Sequence, residues 1–344
     1  MTITLAIDAM GGDDGVNVVI PGSAVALGNR AGRDLSFLFF GNQEKIFAEL
    51  AKYPHLSSCS KVIHSDLVIT SETKPTAAIR MGRMSNLGMA IDAVSKGQAD
   101  AVVSAGNTGA YMSLCKVILK TFPNIDRPAL PAIIPTITGK SIVLDTGANV
   151  SCMANNLVQF ALMGEAFASQ ILGVEKPRIG LLNVGSEEIK GNATVKEAYH
   201  LLSAFDNFTG FVEGDDITSG KVDVIVTDGF SGNIALKSIE GTARFIGSVF
   251  TEILSESFLG KIGYFVARSS FRKLKKRMDP RLYNGAVFLG LRHLAVKSHG
   301  GTDALGFANT VQMAVEMVQK NLVDKTEQRL KLMAEKIVQS SRLG

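Results

Sequence analysis

The feature that most constrains the fold is a repeated unit of apolar strand, glycine-rich loop and helix. Its clearest copy is VDVIVTDGFSGNIALKSIEG at 222–241. The β-branched run VDVIV predicts a strand, the triplet TDG ends it, and apolar residues at helical spacing follow from Asn233. This stretch therefore predicts a strand, a tight polar loop and a helix.

Four more copies of the unit occur along the chain. They are ITLAIDAMGGDDG at 3–15, ADAVVSAGNTGAYM at 99–112, SIVLDTGANVSC at 141–152 and RIGLLNVGSEEIKGN at 178–192. Continuous apolar strands separated by helices are typical of an α/β/α sandwich with a mostly parallel, doubly wound sheet. Ligands bind such sheets outside the carboxyl ends of the strands. The five loops are therefore expected to build one shared site.

Composition limits the class of protein. A chain of 344 residues with 46% hydrophobic and 20% charged residues is ordinary for an α/β enzyme, and it is predicted to form a single large domain over 1–344. A net charge of +4 is too small to indicate nucleic acid as a partner. Three cysteines without C-x-x-C spacing suit a reducing compartment. The N-terminus MTITLAIDAM has no basic leader, so a cytoplasmic protein is expected.

Candidate ligands for an anion lie in the first three loops. Glycine allows a backbone to turn tightly and to present its N–H groups to an anion, and a helix N-terminus favours negative charge. The first loop is neither G-x-G-x-x-G nor a Walker loop, and a plain turn between strand and helix is the alternative interpretation. The candidates are Asp8, Gly11, Gly12, Asn107, Asp145 and Asn149.

The loops after the other two strands add further polar residues. Asn183 and Lys190 lie in LLNVGSEEIKGN, and Asp228 and Gly232 lie in VTDGFSGN. Taken alone, Lys190 is either a phosphate clamp or a surface charge. The chain has neither a metal-binding motif nor a G-x-S-x-G nucleophile elbow, so no metal and no cofactor are predicted. These residues indicate a site that binds an oxyanion.

Residues 243–280 have a different pattern, which predicts a protruding amphipathic helical hairpin. Its basic, phenylalanine-rich sequence is typical of a segment that binds an anionic membrane surface or that docks on an acidic partner. A helix pair in a dimer interface is the alternative. The residues predicted to make these contacts are Phe258, Ile262, Phe265, Arg272, Lys273, Lys275, Lys276 and Arg277.

Six motifs together resemble the PlsX family of acyl-acyl carrier protein:phosphate acyltransferases. They are AIDAMGGDDG, VSAGNTGA, LDTGANV, LLNVGSEEIKGN, VTDGFSGNIALKSIEG and HGGTDALGFAN, in the family's order and spacing over nearly the whole chain. The resemblance implies a homodimer with a fold like that of phosphotransacetylases and isocitrate dehydrogenase-like proteins. It also implies conversion of acyl-acyl carrier protein and inorganic phosphate into acyl phosphate. A membrane-bound glycerol-phosphate acyltransferase would consume that product, which suggests peripheral association with the inner face of the cell membrane.

The resemblance also implies two catalytic residues, Lys190 and Asn233, which occupy the family's N-V-G-x-E-x-x-K-G-N and D-G-x-x-G-N motifs. The chain departs from the family at Ser151, where aspartate is usual, and at Asn284, where glycine is common. Phosphate is an anion near neutral pH and a thiolate leaves readily, so the reaction requires no strong general base. Two rival functions are an NAD-dependent decarboxylating dehydrogenase, which would need a metal-binding carboxylate cluster, and a non-catalytic membrane scaffold.

Overall fold

A computed structural model describes residues 2–29, 34–70, 72–256, 258–271 and 285–343, and the side chains of all of these except 259, 260 and 333–343. The strands are β1 (Ile3–Asp8), β2 (Leu35–Gly41), β3 (Ser60–His64), β4 (Ala101–Ser104), β5 (Ala132–Pro135), β6 (Lys140–Leu144), β7 (Ile179–Leu182), β8 (Phe208–Val212), β9 (Val224–Val226), β10 (Ala286–Val287) and β11 (Leu294–Lys297). The helices are α1 (Val16–Gly28), α2 (Gln43–Leu50), α3 (Pro54–Ser58), α4 (Pro75–Met81), α5 (Asn86–Ser95), α6 (Thr108–Ile118), α7 (Ala154–Ile171), α8 (Ala193–Leu202), α9 (Gly229–Glu256), α10 (Phe258–Val266), α11 (Ala304–Gln319) and α12 (Leu322–Leu343).

The strands form two sheets. The first has the order β10-β11-β4-β1-β2-β3 and the second the order β5-β6-β9-β7-β8. Neighbouring strands are parallel except at β10–β11 and β5–β6, where an edge strand runs antiparallel. The predicted α/β class with mostly parallel strands is confirmed, and the strands are shared between two sheets instead of one. Prolines at 123, 128 and 131 lie in the segment that crosses between the sheets, where they cannot sustain a helix, and Pro135 ends the edge strand β5, where a proline is tolerated.

The central parallel strands β1, β4, β6 and β9 are buried on both faces, which explains their continuous apolar runs. On one face of the first sheet, Leu5 packs in a cluster with Ile20 of α1 and Phe307 of α11. The same cluster continues through Leu144 and Val226 of the second sheet. The opposite face of the first sheet packs in a second cluster with α5 and α6. One apolar core therefore holds the two sheets together and fixes their loops.

Helices α9 and α10 form the part of the fold that corresponds to the predicted hairpin. Helix α9 begins at Gly229, so the helical segment extends well upstream of residue 243. It has 28 residues, contacts α10 and exposes large apolar side chains along its length. The basic residues Arg272, Lys273, Lys275, Lys276 and Arg277, and also Asn284, lie outside the described residues. No helix of the described residues is long and apolar enough to cross a membrane.

Candidate active site

Asp8, the last residue of β1, organises the first group of loops. It is 1% exposed, and its Oδ2 accepts a hydrogen bond from Ser104 Oγ at 2.6 Å. Its Oδ1 accepts from Asn86 Nδ2 at 2.6 Å and from the Met10 amide at 3.2 Å. Burial raises the pKa of the Asp8 carboxyl, while these hydrogen bonds oppose the rise. The carboxylate therefore holds its own loop in shape and is covered by protein.

Glycines let the loops of the first sheet approach one another closely. A Cβ at Gly11 would lie 2.8 Å from the Gly106 amide nitrogen, so the loops after β1 and β4 touch there. Gly12 has a φ of 91°, and a Cβ there would lie 3.0 Å from the carbonyl of Gly300 in the loop after β11. The Asp13 amide donates to that same carbonyl at 3.1 Å. Three loops thus meet at one point, which we call the glycine-loop cluster.

Asn107 lies beside this cluster as the N-cap of α6. Its Oδ1 accepts from the Ala110 amide at 3.1 Å, and its Nδ2 donates to the Thr73 carbonyl at 3.3 Å. Both contacts are of the kind that begins a helix and ties a loop to it. The predicted anion ligand is therefore used, in this conformation, to fix the start of α6.

Asp145 plays the corresponding part in the second sheet, immediately after β6. It is fully buried, and its Oδ2 accepts from the Asn149 amide at 2.6 Å and from Asn149 Nδ2 at 2.8 Å. Its Oδ1 accepts from the amides of Leu130 at 3.0 Å and Ala148 at 3.2 Å. Burial raises the pKa of the Asp145 carboxyl, opposed by these bonds. This network fixes the loop after β6.

Helix α9 starts against that fixed loop. The Gly229 amide donates to the Asn149 carbonyl at 2.7 Å, and the Ser231 amide donates to Asp228 Oδ1 at 2.7 Å, which caps the helix. A Cβ at Gly232 would overlap the backbone carbonyl of Asp145. The Gly232 amide donates to the Asp228 carbonyl, so it is not free to bind an anion. The role of Gly232 is to let helix α9 pack closely against the loop after β6.

Asn233 is the first exposed polar residue beyond this contact. Its side chain would lie 3.6 Å from a Cβ at Gly147, so it stands over the loop after β6 and reaches solvent. Asp145, Asn149, Asp228, Gly232 and Asn233 are thus brought together. We call them the second-sheet cluster.

Lys190 and Asn183 lie in the loop after β7. Strand β9 pairs in parallel with both β6 and β7, so the loops after all three strands leave the same edge of the second sheet. Asn183 Nδ2 donates to the Lys190 carbonyl at 3.3 Å, and the Lys190 side chain is exposed. Lys190 and Asn233 therefore share an edge, although no hydrogen bond or ion pair among the described residues joins them.

Helix α9 connects the second sheet to the glycine-loop cluster. Lys237 lies one turn beyond Asn233, and its Nζ is 3.4 Å from Nε2 of His299 and 2.9 Å from Glu240 Oε2. His299 belongs to the loop after β11. Burial lowers its pKa, and the charges of Lys237 and Lys297 lower it further. One helix therefore faces loops of both sheets.

Lys297, the last residue of β11, was not among the residues predicted from the sequence. It is only 8% exposed, and its Nζ donates to the carbonyls of Ala105 at 3.2 Å and Ser298. Burial lowers the pKa of its ammonium to about 8, opposed by the charges of Asp8 and Asp13. It places a cation directly beneath the glycine-loop cluster. The signal in the sequence was a lysine ending an apolar strand before the loop SHGG.

The cysteines and the acidic residues of the described ranges show whether the site suits a thiol nucleophile or a metal ion. Cys59, Cys115 and Cys152 are free thiols, and burial raises the pKa of Cys152 to about 11, which disfavours its nucleophilic thiolate form. The described residues contain no group of three His, Cys, Asp or Glu side chains placed to hold a metal ion. The exposed polar groups on the edge of the second sheet include the amide of Asn233 and the ammonium of Lys190, which suit an oxyanion.

Comparison with known proteins gives matches over nearly the whole chain. Residues 3–325 match the family model described as "Fatty acid synthesis protein". The phosphate acyltransferase of Rhodospirillum centenum is 50% identical over 329 residues, covering 95% of this chain and 92% of that protein. The phosphate acyltransferase of Azorhizobium caulinodans is 50% identical over 333 residues, covering 95% of this chain and 93% of that protein.

Solved structures with a similar fold are more distant in sequence. A phosphotransacetylase from Streptococcus pyogenes superposes with a TM-score of 0.58 at 17% identity, covering 92% of this chain and 94% of that one. A 4-hydroxythreonine-4-phosphate dehydrogenase from Klebsiella pneumoniae superposes with a TM-score of 0.52 at 15% identity, covering 92% and 98%. At these identities the likeness shows the fold alone, because one fold supports several chemistries.

Proposed function

The chain belongs to the phosphate acyltransferase family of fatty acid synthesis proteins, and we propose that it transfers a long-chain acyl group from acyl-acyl carrier protein to inorganic phosphate. The products are acyl phosphate, for phospholipid synthesis, and the free carrier-protein thiol. The family, the enzyme class and the phosphotransacetylase-like fold predicted from the sequence motifs are confirmed. The acyl donor and the mechanism are our proposal.

One observation carries the mechanism. Strands β6, β9 and β7 are adjacent and parallel, and their loops bring exposed Asn233 and exposed Lys190 to one edge. In the part of the chain that the structure describes, no hydrogen bond ties the side chain of Asn233 or Lys190 to a buried group, in contrast to Asp8 and Asp145. A neutral amide and a cation on adjacent loops are suited to orienting and neutralising a phosphate.

The reaction itself asks little of acid–base catalysis. An oxygen of hydrogen phosphate attacks the thioester carbonyl, the C–O bond to phosphate forms, and the C–S bond breaks. The proton of hydrogen phosphate ends on the departing sulfur, so acyl phosphate and thiol are the only products. A free cysteine thiol has a pKa of about 8.5, and a thiolate of similar basicity is a good leaving group. The protein must mainly hold phosphate against the carbonyl and stabilise the oxyanion of the tetrahedral intermediate.

We assign these tasks to the exposed residues. Lys190 neutralises phosphate as the negative charge of the intermediate develops, and Asn233 orients phosphate or the carbonyl oxygen. The glycine-loop cluster borders the same space, because Lys237 of α9 reaches His299. In this assignment Gly11, Gly12 and Asn107 do not contact phosphate. They keep the loops of the glycine-loop cluster in the shape that borders the site.

The proposal is tested by measuring phosphate-dependent formation of acyl phosphate from acyl-acyl carrier protein. We expect Lys190→Ala to lower kcat by about 10²- to 10³-fold, the usual effect of removing one group that stabilises an oxyanion. Lys176→Ala is the matched control, because Lys176 is also exposed and precedes the opposite end of β7. Near-normal turnover by Lys190→Ala would remove its assigned role, and no turnover by the unaltered enzyme would refute the donor.

The exposed apolar side chains of α9 and α10 support a second part of the proposal. Phe258 and Phe265 are 78% and 68% exposed, and Ile262 is also exposed. Patches of this kind mark protein or membrane contacts. We propose that this surface, with the basic residues that follow it, serves a homodimer, the acidic carrier protein or the anionic inner face of the cell membrane. There acyl phosphate would pass to a membrane-bound glycerol-phosphate acyltransferase.

A further inference from the structure

A cleft opens between helix α6 and the loop that follows β6. Its volume is about 350 Å³. Its lining includes Met112, Lys116, Arg127, Pro128, Asn149 and Val150. Because α6 belongs to the first sheet and the loop belongs to the second, the cleft lies at the junction of the two halves of the fold.

Two cations line this cleft. Lys116 is exposed on the last turns of α6, and Arg127 is held by its Nη1, which donates to the Ser151 carbonyl at 3.1 Å. Within the ranges that the structure describes, neither side chain forms an ion pair with a carboxylate. Two positive charges beside an uncharged loop residue attract an anionic group, and a guanidinium matches the oxygens of a phosphate in geometry.

The rest of the lining shows what kind of anion fits. Met112, Pro128 and Val150 give the cleft an apolar part, and Val150 is 66% exposed. The volume lies within the range of about 300–1,000 Å³ that is usual for organic ligands and far exceeds the share of about 30 Å³ of one water molecule. A lone inorganic anion would leave most of the apolar lining uncovered. A phosphate ester attached to a flexible, partly apolar chain matches both parts of the lining.

The cleft also adjoins the candidate active site. Asn149 lines the cleft, and its backbone carbonyl accepts the hydrogen bond from the Gly229 amide at the start of α9. Gly147, where a Cβ would lie 3.6 Å from the Asn233 side chain, lies two residues earlier in the same loop. A chain lying in the cleft therefore needs to pass only around this loop to reach Asn233.

We propose that the cleft binds the phosphopantetheine arm of the thioester donor, with Lys116 and Arg127 contacting its phosphate ester and Met112 and Val150 contacting the pantetheine chain. The inference rests on the proposed function, since it requires a donor carried on such an arm. Inorganic phosphate and an anionic lipid headgroup share the phosphate chemistry, so the experiment must separate them.

The test compares the unaltered enzyme with Lys116→Gln and Arg127→Gln on three long-chain donors. These are acyl-acyl carrier protein, acyl-phosphopantetheine and acyl-pantetheine, which lacks the phosphate. We expect each substitution to raise KM about fivefold for the two phosphorylated donors, the upper end of the effect of an exposed ion pair. The rise should be absent for acyl-pantetheine, and KM for inorganic phosphate should not change. Lys45→Gln is the matched control, because Lys45 is an exposed helical lysine on α2.

Competition provides a second readout that does not depend on slow small donors. Phosphopantetheine should inhibit the unaltered enzyme more strongly than pantetheine, and Lys116→Gln should reduce that difference about fivefold. A KM that rises equally for all three donors, rises for inorganic phosphate or does not move would overturn the assignment of the cleft. Loss of binding to anionic vesicles without a change in donor KM would overturn it in favour of a lipid headgroup. In contrast, an unaltered enzyme that makes no acyl phosphate from any donor would refute the proposed function itself.

Discussion

Replacing Gly232 with alanine tests the contact that joins helix α9 to the loop after β6. The new methyl group would overlap the backbone carbonyl of Asp145, with Thr227 Cγ2 a further 2.9 Å neighbour. A backbone carbonyl cannot rotate away as a flexible side chain can, so α9 or the loop must move by a distance on the order of 1 Å. Overpacking of this kind typically costs about 1–3 kcal/mol.

Helix propensity acts in the opposite direction, which gives the substitution an internal control. Alanine is favoured over glycine in a helix interior by about 1 kcal/mol. Gly241 lies in the same helix, and a methyl group added there would have no neighbour within 4 Å, so Gly241→Ala should be neutral or stabilising. After this gain is subtracted from the overpacking cost, we expect Gly232→Ala to lower the free energy of unfolding by up to about 2 kcal/mol.

The expected loss of activity is larger than the loss of stability. Asn233, to which we assign the orientation of phosphate or the carbonyl oxygen, follows Gly232 directly, and a misplacement of about 1 Å in a catalytic group can lower the rate by about 10²-fold. Urea denaturation followed by circular dichroism gives the stability, and phosphate-dependent acyl phosphate formation gives the rate. If Gly232→Ala matches Gly241→Ala in both measurements, α9 does not dock on the Asp145 loop as described.

Two further variants test the buried cation and the apolar surface. Because burial lowers the pKa of Lys297 to about 8, the unfolded chain binds more protons between that pH and the ordinary value near 10.5, so the free energy of unfolding should rise with pH across this window. Lys297→Met should remove that part of the rise in urea titrations at pH 7.5, 9 and 10, and an unchanged pH dependence would contradict the burial of a charged ammonium. Phe258→Ser combined with Phe265→Ser should weaken flotation with anionic liposomes by at least about tenfold, since burying each phenylalanine contributes about 1.5–3 kcal/mol. Phe47→Ser, at a 57% exposed phenylalanine on α2, should have no such effect, and equal binding by both variants would exclude the hairpin as the membrane contact.

Much of the fold was predictable because each strand carries its own signal. The runs ending at Asp8 and Ser104 are apolar and are followed by glycine, and both became buried parallel strands as predicted. The division into two sheets was not predictable. Apolar periodicity shows that a strand exists but not which strand it pairs with, and β9 pairs with strands that lie more than 40 and 80 residues earlier in the chain.

The candidate site shows a similar limit. A polar residue at the end of a parallel strand was predicted to face a ligand. For Asp8 and Asp145, however, hydroxyl and amide groups of the protein surround the carboxylate, and the sequence does not reveal this. Lys297 was missed for the converse reason. A lysine at a strand end is expected to be exposed, and only the packing of three loops over it shows that it is buried.

Helix α9 connects the candidate site to the exposed apolar surface. Its first turn is fixed by the Asp145 loop, Asn233 and Lys237 on one face reach the loops of the two sheets, and its later turns expose apolar residues beside α10. A helix of 28 residues is about 42 Å long, so a rigid element runs from the candidate site to the exposed surface. An acyl phosphate has a charged head and a long apolar tail, and such a product would meet apolar side chains of the same helix on leaving Asn233. Gly232→Ala displaces Asn233 from the Asp145 loop but leaves the apolar residues of α9 in place, so it should impair the reaction while leaving liposome binding intact.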